Sequence, residues 1–220
     1  MANPFIPRVV DISHYNTVRD LKQTAEAGIW GVIHKATQGR AYADPQYAAH
    51  RQAAAAAGLL WGAYHFNTGD RVDLQVDNFL THADPDENTL LALDYEDNRL
   101  SQMEIEDAVE FLHLVEKKTG RLAVIYSGNR LKEKIHELPV EDIDYLCAHR
   151  LWLAQYGTQP RLPAGFKKYW LWQYSGDGVG PQPHNVPGIV AGNGGLDMNV
   201  YAGAREELVA DWAGAPLATS

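Results

Sequence analysis

The 220-residue chain predicts an α/β fold. The architecture expected is a modified TIM-like (β/α) barrel of eight strands and about five helices, with helices missing from the last third. Three observations lead there. Apolar runs such as "LAVIY" and "LLAL" are nearly continuous, the mark of parallel strands covered on both sides. Helix-like stretches with start and stop signals alternate with those runs, which implies βαβ units. Each run also finishes in polar or aromatic residues, as expected where strand ends gather at one rim.

The apolar runs begin near Val9, Val32, Leu60, Leu90 and Leu122. The first connection opens at Thr17, a plausible N-cap, and stops at Gly28. The second has Asp44 as N-cap, Pro45 at the first helical position and Gly58 as its stop. In the third, Val72, Val76, Phe79 and Leu80 share one face. The fourth reads as a capping box of Ser101 and Glu104, a stripe of Ile105, Ala108, Val109 and Leu112, and a terminal Gly120. Segments 151–156 and 169–175 are strand-like, but the stretch between them is too rich in Pro and Gly for a crossover helix. A Gly/Pro/Asn-rich loop at 176–195 then leads to a last strand around Leu196–Val200. No linker or low-complexity segment interrupts the chain, so a single domain is expected over 1–220, with its core at about 8–201.

Composition narrows the partners. Net charge is −9 and no Lys/Arg cluster marks a phosphate-binding face, so no nucleic acid is expected. The single cysteine, Cys147, allows no intrachain disulfide and no zinc-type cluster, and it reads as a small core residue. The opening "MANPFIPRVV" lacks a basic region followed by an apolar one, so no signal peptide is visible. No apolar run is long enough for a membrane span.

The strand ends carry the chemistry. In a closed barrel, Asp11, Lys35, Tyr64, His65, Asp94, Glu96, Tyr126, Gln155, Gln173, Tyr174 and Asp197 would meet at the rim where active sites form. Asp94 and Glu96 are two apart and share the parity of Leu90 and Ala92, so an inward face would send both carboxylates into the mouth. Asp97 fits a cap of the next helix. Two carboxylates flanking one bond are the minimum equipment for glycoside hydrolysis. Tyr64, Phe66, Tyr126, Tyr156, Trp170, Trp172 and Tyr174 lie at or near strand ends and suit stacking on pyranose rings, although alternation must turn about half of them outward. Asp11, His14, His65 and Asp197 could imitate a metal cluster, but no H-E-x-x-H or comparable spacing exists. There is no G-x-S-x-G, and "GNGGLD" precedes a strand rather than opening a helix. No metal and no cofactor are expected.

The segments "VVDISHYN", "HKATQG", "WGAYHF", "LALDYED", "VIYSG", "LWLAQY", "WLWQYS" and "GLDMN", in this order and spacing, resemble the family 25 glycoside hydrolases. These are the Chalaropsis-type lysozymes, and the resemblance spans about residues 8–201. It implies an N-acetylmuramidase that cuts the β-1,4 bond between N-acetylmuramic acid and N-acetylglucosamine, with peptidoglycan glycan strands as partner. The family's D-x-E pair falls on Asp94 and Glu96, with Glu96 the general acid. Its first-strand Asp falls on Asp11 and its late D-x-N Asp on Asp197. Net retention through the substrate's acetamide is expected, with Asp94 orienting that group. Tyr64, His65, Tyr126, Gln155, Trp172, Gln173 and Tyr174 are expected to bind substrate beside Asp11 and Asp197. The more usual K-A-T-E-G reads "KATQG" here, with Gln38 in place of the acid in a loop that shapes the groove. A monomer acting on the cell wall, extracellular or periplasmic and without a separate wall-binding module, is the expectation. Two alternatives stand beside it: a catalytically silent wall-binding module, and another barrel glycosidase such as a chitinase, whose longer acidic strand motif is absent.

Overall fold

The computed structural model describes residues 5–192 and 194–214. The first residues of the segment read for a signal peptide, and the tail beyond 214, lie outside the described residues. The chain runs β1 (Val9–Ile12), β2 (Thr17–Val18), α1 (Leu21–Glu26), β3 (Gly31–Gln38), β4 (Tyr42–Ala43), α2 (Tyr47–Ala56), β5 (Leu60–Phe66), α3 (Val72–Ala83), β6 (Leu90–Asp94) and α4 (Ile105–Thr119). It continues through β7 (Val124–Ser127), α5 (Asn129–Lys134), α6 (Val140–Ala148), β8 (Leu151–Ala154), β9 (Leu171–Ser175), β10 (Ile189–Val190), β11 (Asp197–Val200) and α7 (Arg205–Asp211).

Eight of these strands close a barrel in the order β1, β3, β5, β6, β7, β8, β9, β11, and β11 returns to β1. All neighbours are parallel except β11, which is antiparallel to both β9 and β1. Its reversal follows from the sequence: no crossover helix lies between β9 and β11, so the 176–196 loop stays at the rim and the last strand runs back down. Among the described residues there are seven α-helices rather than about five. The extra ones give weak signals: α5 has six residues and α7 has seven. The expected gap is present, since no helix joins β8 to β9.

Two helix starts differ from expectation. Thr17 belongs to β2, which pairs with β10, and α1 is capped instead by Asp20, whose carboxylate accepts from Lys22 N–H at 3.0 Å. Ser101 does not cap α4; its hydroxyl accepts from Gly69 N–H at 2.9 Å, and the helix starts after Glu104. Asp44 does act as a cap, accepting from Gln46 N–H at 2.9 Å, although regular helix begins at Tyr47.

Strand alternation sorts the apolar residues into two layers. Val9, Ile33, Leu90, Ala92, Val124, Trp152 and Leu171 fill the barrel, while the outward residues pack beneath the helices. Leu208 and Trp212 close the barrel at the end opposite the rim, and Trp212 Nε1–H donates to Trp61 O at 2.7 Å. Gly31 must be small there, because a Cβ would sit 2.8 Å from the Trp212 ring. With the lower end of the barrel interior filled, the inward-facing polar residues gather at the other rim. Among the described residues, no helix is long and apolar enough to cross a membrane.

Candidate active site

Asp94 is the last residue of β6, where Leu90, Ala92 and Asp94 alternate inward and Tyr95 turns into the outer layer. The chain stays extended past the strand end because its backbone is held. Tyr95 N–H donates to Tyr126 O at 2.9 Å, and Ser127 Oγ donates to Tyr95 O at 2.5 Å. Asn67 Nδ2 donates to both Asp94 O and Glu96 O, at 2.9 and 3.0 Å. Glu96 therefore keeps the parity of Asp94, and both carboxylates face one cavity.

That cavity, about 160 Å³, is lined by Asp11, Tyr64, Asp94, Glu96, Tyr126, Trp152, Tyr156, Asp177 and Asp197. A hydrogen-bonded floor fixes Asp11. Gln173 Nε2 donates to both Asp11 oxygens, at 3.1 and 3.0 Å, while Gln173 Oε1 accepts from Tyr126 OH at 2.8 Å. Asn199 Nδ2 donates to Asp11 Oδ2 at 2.8 Å, and Asn199 Oδ1 accepts from Trp152 Nε1 at 2.6 Å. Asp197 stands opposite Asp11 in the strand register. It reaches the rim as the first residue of β11, not the last, because that strand runs in reverse.

The pocket gathers acids where water is scarce, and burial is the largest cause of every shift. Burial pushes Glu96 up to about 7, helped by the charge of Asp11 and opposed by Lys35. Asp94 is raised well above the usual range by burial and then by Glu96. Among the neighbouring charges, Asp11 rather than the adjacent Asp94 acts most strongly on Glu96. Asp11 itself rises to about 6 and Asp197 to about 9, both chiefly through burial. Asp94 Oδ1 is buried with no hydrogen-bond partner. Lys35 supplies the positive charge that opposes the rise of Asp94 and Glu96; its Nζ donates to Gln38 Oε1 at 2.7 Å and lies 4.7 Å from the Phe66 ring centroid.

These shifts make stability depend on pH. Asp11, Glu96 and Asp197 hold their protons more tightly folded than unfolded, so their contribution is full below the ordinary carboxylate range. It is lost as pH rises through about 6, 7 and 9 respectively. Thermal midpoints should fall between pH 5 and 9, and Asp197→Asn should flatten the upper part of that decline. An unchanged slope in the variant would contradict the burial assigned to Asp197.

Two wider cavities, each about 470 Å³, adjoin the pocket. One shares Glu96, Tyr126 and Tyr156 with it and adds Asp97, Asn129, Arg130 and Gln155. The other shares Asp177 and Asp197 and adds Ser13, Tyr15 and Asn16. The carboxylates thus lie midway along an open groove, a shape that accepts an internal stretch of polymer.

Of the residues expected to form the site, Asp11, Tyr64, Asp94, Glu96, Tyr126 and Asp197 line the pocket, and Gln173 lies in its floor. Gln155 borders the adjoining cavity and accepts from Lys132. Three lie elsewhere, because each neighbours an inward residue on its strand and must face outward. His65, next to Tyr64, bonds Thr37 and Gln75 at 2.8 and 3.1 Å and stacks on Phe111. Trp172 and Tyr174 flank Gln173 and pack on Phe5, with ring centroids 5.8 and 5.1 Å away. Asp97 caps nothing; it is exposed and pairs with Arg130 at 3.8 Å. The four residues weighed as metal ligands do not converge, since His65 faces outward and His14 is bound to Asp44 at 2.8 Å. Among the described residues, no group of three or more His, Cys, Asp or Glu is arranged to hold a metal ion.

Sequence reasoning missed Trp152, Asp177 and Asn199 as site residues, and named Tyr156 only among the aromatics suited to stacking on a sugar. Alternation points to three of these four: Trp152 and Tyr156 share a parity through Ala154, and Asn199 is two beyond Asp197. Asp177 carries no such signal, because it belongs to a loop.

The family model for glycosyl hydrolases family 25 matches residues 10–182. YegX of Escherichia coli O157:H7, itself uncharacterised, is 32% identical, over 91% of this chain and 71% of its own length. Lysozyme M1 of Streptomyces globisporus is 27% identical, over 91% and 69%. The fold is similar to that of the bacterial lysozyme from Streptomyces coelicolor, with a TM-score of 0.81 and 25% identity over 96% of this chain and 99% of that one. With a family match across most of the barrel and a lysozyme fold around a carboxylate-lined groove, the chain belongs to the glycosyl hydrolases of family 25 and is a glycoside hydrolase of the muramidase type.

Proposed function

We propose that the protein is a 1,4-β-N-acetylmuramidase that hydrolyses the bond between N-acetylmuramic acid and N-acetylglucosamine within peptidoglycan glycan strands, acting at the cell wall. The observation that carries this reading is the buried Asp94, with an unpartnered oxygen, beside Glu96 in the middle of an open groove. A buried acceptor without a donor is costly and calls for a partner. An acetamide N–H of the substrate supplies one, and its donation favours the ionised form of Asp94.

The reaction then follows from the two carboxyl groups. Glu96, protonated, gives its proton to the glycosidic oxygen as the bond to the anomeric carbon breaks. The substrate's acetamide oxygen attacks that carbon from the other face, forming a cyclic oxazolinium ion, while Asp94 holds the N–H and balances the developing positive charge. Glu96, now a carboxylate, takes a proton from water as the water oxygen attacks the same carbon and reopens the ring. Two inversions give net retention. Substrate assistance of this kind is a recognised departure from the scheme with an enzyme nucleophile. Because Glu96 must start protonated and its pKa is pushed up to about 7, lysis should be greatest in mildly acidic medium and fall as pH rises through about 7. A rate still climbing at pH 8 would contradict that role.

Asp11 and Asp197 position the pair and the substrate. Asp11→Asn and Asp197→Asn should each lower kcat/KM about 10–100-fold, less than loss of either member of the pair. An effect no larger than that of surface substitutions would remove them from the site. The reading as a whole is tested by clearing of purified bacterial walls beside release of sugar from chitin. Wall clearing with intact chitin supports it, chitin hydrolysis points to a chitinase-like enzyme, and binding without clearing to a silent module.

A further inference from the structure

The cavity on the Asp177 side of the pocket holds a feature the catalytic scheme does not use. Tyr15 keeps 73% of its surface exposed at the cavity wall. An aromatic ring left in solvent is ordinarily mobile, but this one is braced. Its turn is closed by Asn16 N–H to Ser13 O at 3.0 Å and by Ser13 N–H to Asn16 Oδ1 at 3.0 Å. The Tyr15 ring leans on His14, 4.0 Å between centroids. His14 is clamped in turn by Asp44, which bonds its backbone N–H at 3.0 Å and its ring Nδ1 at 2.8 Å.

Asp177 lines the same cavity, exposed, on a left-handed backbone with φ of 51°. Asp tolerates that conformation better than most residues but gains nothing from it. A flat exposed ring and an acceptor lining one cavity match a pyranose, with an apolar C–H face to stack and a polar edge of hydroxyl and amide donors. The negative charge of Asp177 repels a sugar that carries its own carboxylate.

We propose that Tyr15 and Asp177 form a subsite for an uncharged N-acetylglucosamine residue adjacent to the sugar that is cleaved. The proposal rests on the reading of the chain as a glycan-cleaving enzyme. In an alternating strand both neighbours of a muramic acid residue are N-acetylglucosamine, so the subsite fixes register as well as affinity. Tyr15 stacks in ground state and transition state alike, so its loss should raise KM and leave kcat unchanged.

The test uses an alternating hexasaccharide of N-acetylglucosamine and N-acetylmuramic acid, with calorimetric binding measured in a Glu96→Gln background and kcat and KM in the active enzyme. Tyr15→Ala should weaken binding and raise KM roughly three- to tenfold at constant kcat, while Tyr15→Phe stays within about twofold of the parent. Asp177→Asn, which keeps the left-handed preference, should weaken binding in the same direction. Normal cleavage with Tyr15→Ala indistinguishable from the parent would overturn the subsite and leave the enzymatic reading intact. Tyr15-dependent binding without cleavage in the active enzyme would uphold the subsite and defeat that reading. A Tyr15→Ala variant that lost kcat rather than affinity, or a parent that failed to bind the hexasaccharide, would also overturn the proposal.

Discussion

Glu96→Gln is expected to fold, bind wall fragments and lose wall-lysing activity by about 10³-fold or more, the upper range for removing a general acid. The reason lies in what Gln cannot do. A glycosidic oxygen is a poor leaving group, and Gln is close in size to Glu but has no proton to give. The fold should gain rather than suffer. Glu96 is a half-buried carboxyl pushed up to about 7 by loss of solvent, so ionising it at pH 8 costs stability that a neutral amide does not cost. The thermal midpoint at pH 8 should therefore equal or exceed that of the parent. Stability gained by deleting a functional group is the trade-off expected of an active site. A folded Glu96→Gln enzyme lysing walls within a few-fold of the parent rate would mean that Glu96 is not the acid.

Asp94→Asn is expected to lower kcat by about 10²–10³-fold with KM nearly unchanged, the range for losing one preorganised charge at a transition state. The carboxylate is held by its strand, has an oxygen without a partner and sits where burial strengthens any charge it bears. Asn can still accept from an acetamide N–H, so binding survives. It cannot balance the positive charge that develops as the acetamide attacks. A raised KM with intact kcat would make Asp94 a binding residue and return the nucleophile question to the remaining carboxylates.

Much of this site is legible in the amino-acid sequence, and the reason is geometric. Continuous apolar runs mark the strands, and in a barrel each strand delivers its last residues to one rim. Asp94 and Glu96 pair through a separation of two residues. The rim rule without the alternation rule gathers too many residues. Tyr64 and His65 cannot both face inward, nor can Trp172, Gln173 and Tyr174. Keeping one residue in two sets aside His65, Trp172 and Tyr174 and admits Trp152 and Asn199. Asp197 reaches the rim for a different reason than expected, as the start of a reversed strand rather than as a strand end. Asp177 is out of reach of sequence patterns, since its position depends on the path of the 176–196 loop, which no periodicity describes. The helix caps expected at Thr17 and Ser101 fail because tertiary partners, β10 and Gly69, claim those residues first.

The measurement that bears most directly on the central claim is the identity of the new reducing end. Purified peptidoglycan is digested, the fresh reducing termini are converted with borohydride to sugar alcohols, and the products are hydrolysed and identified by mass. Cleavage on the reducing side of N-acetylmuramic acid predicts muramitol derivatives, accumulating in step with wall clearing and absent from the Glu96→Gln digest. Glucosaminitol in their place would make the enzyme a glucosaminidase and contradict the bond assignment, however completely the walls were cleared.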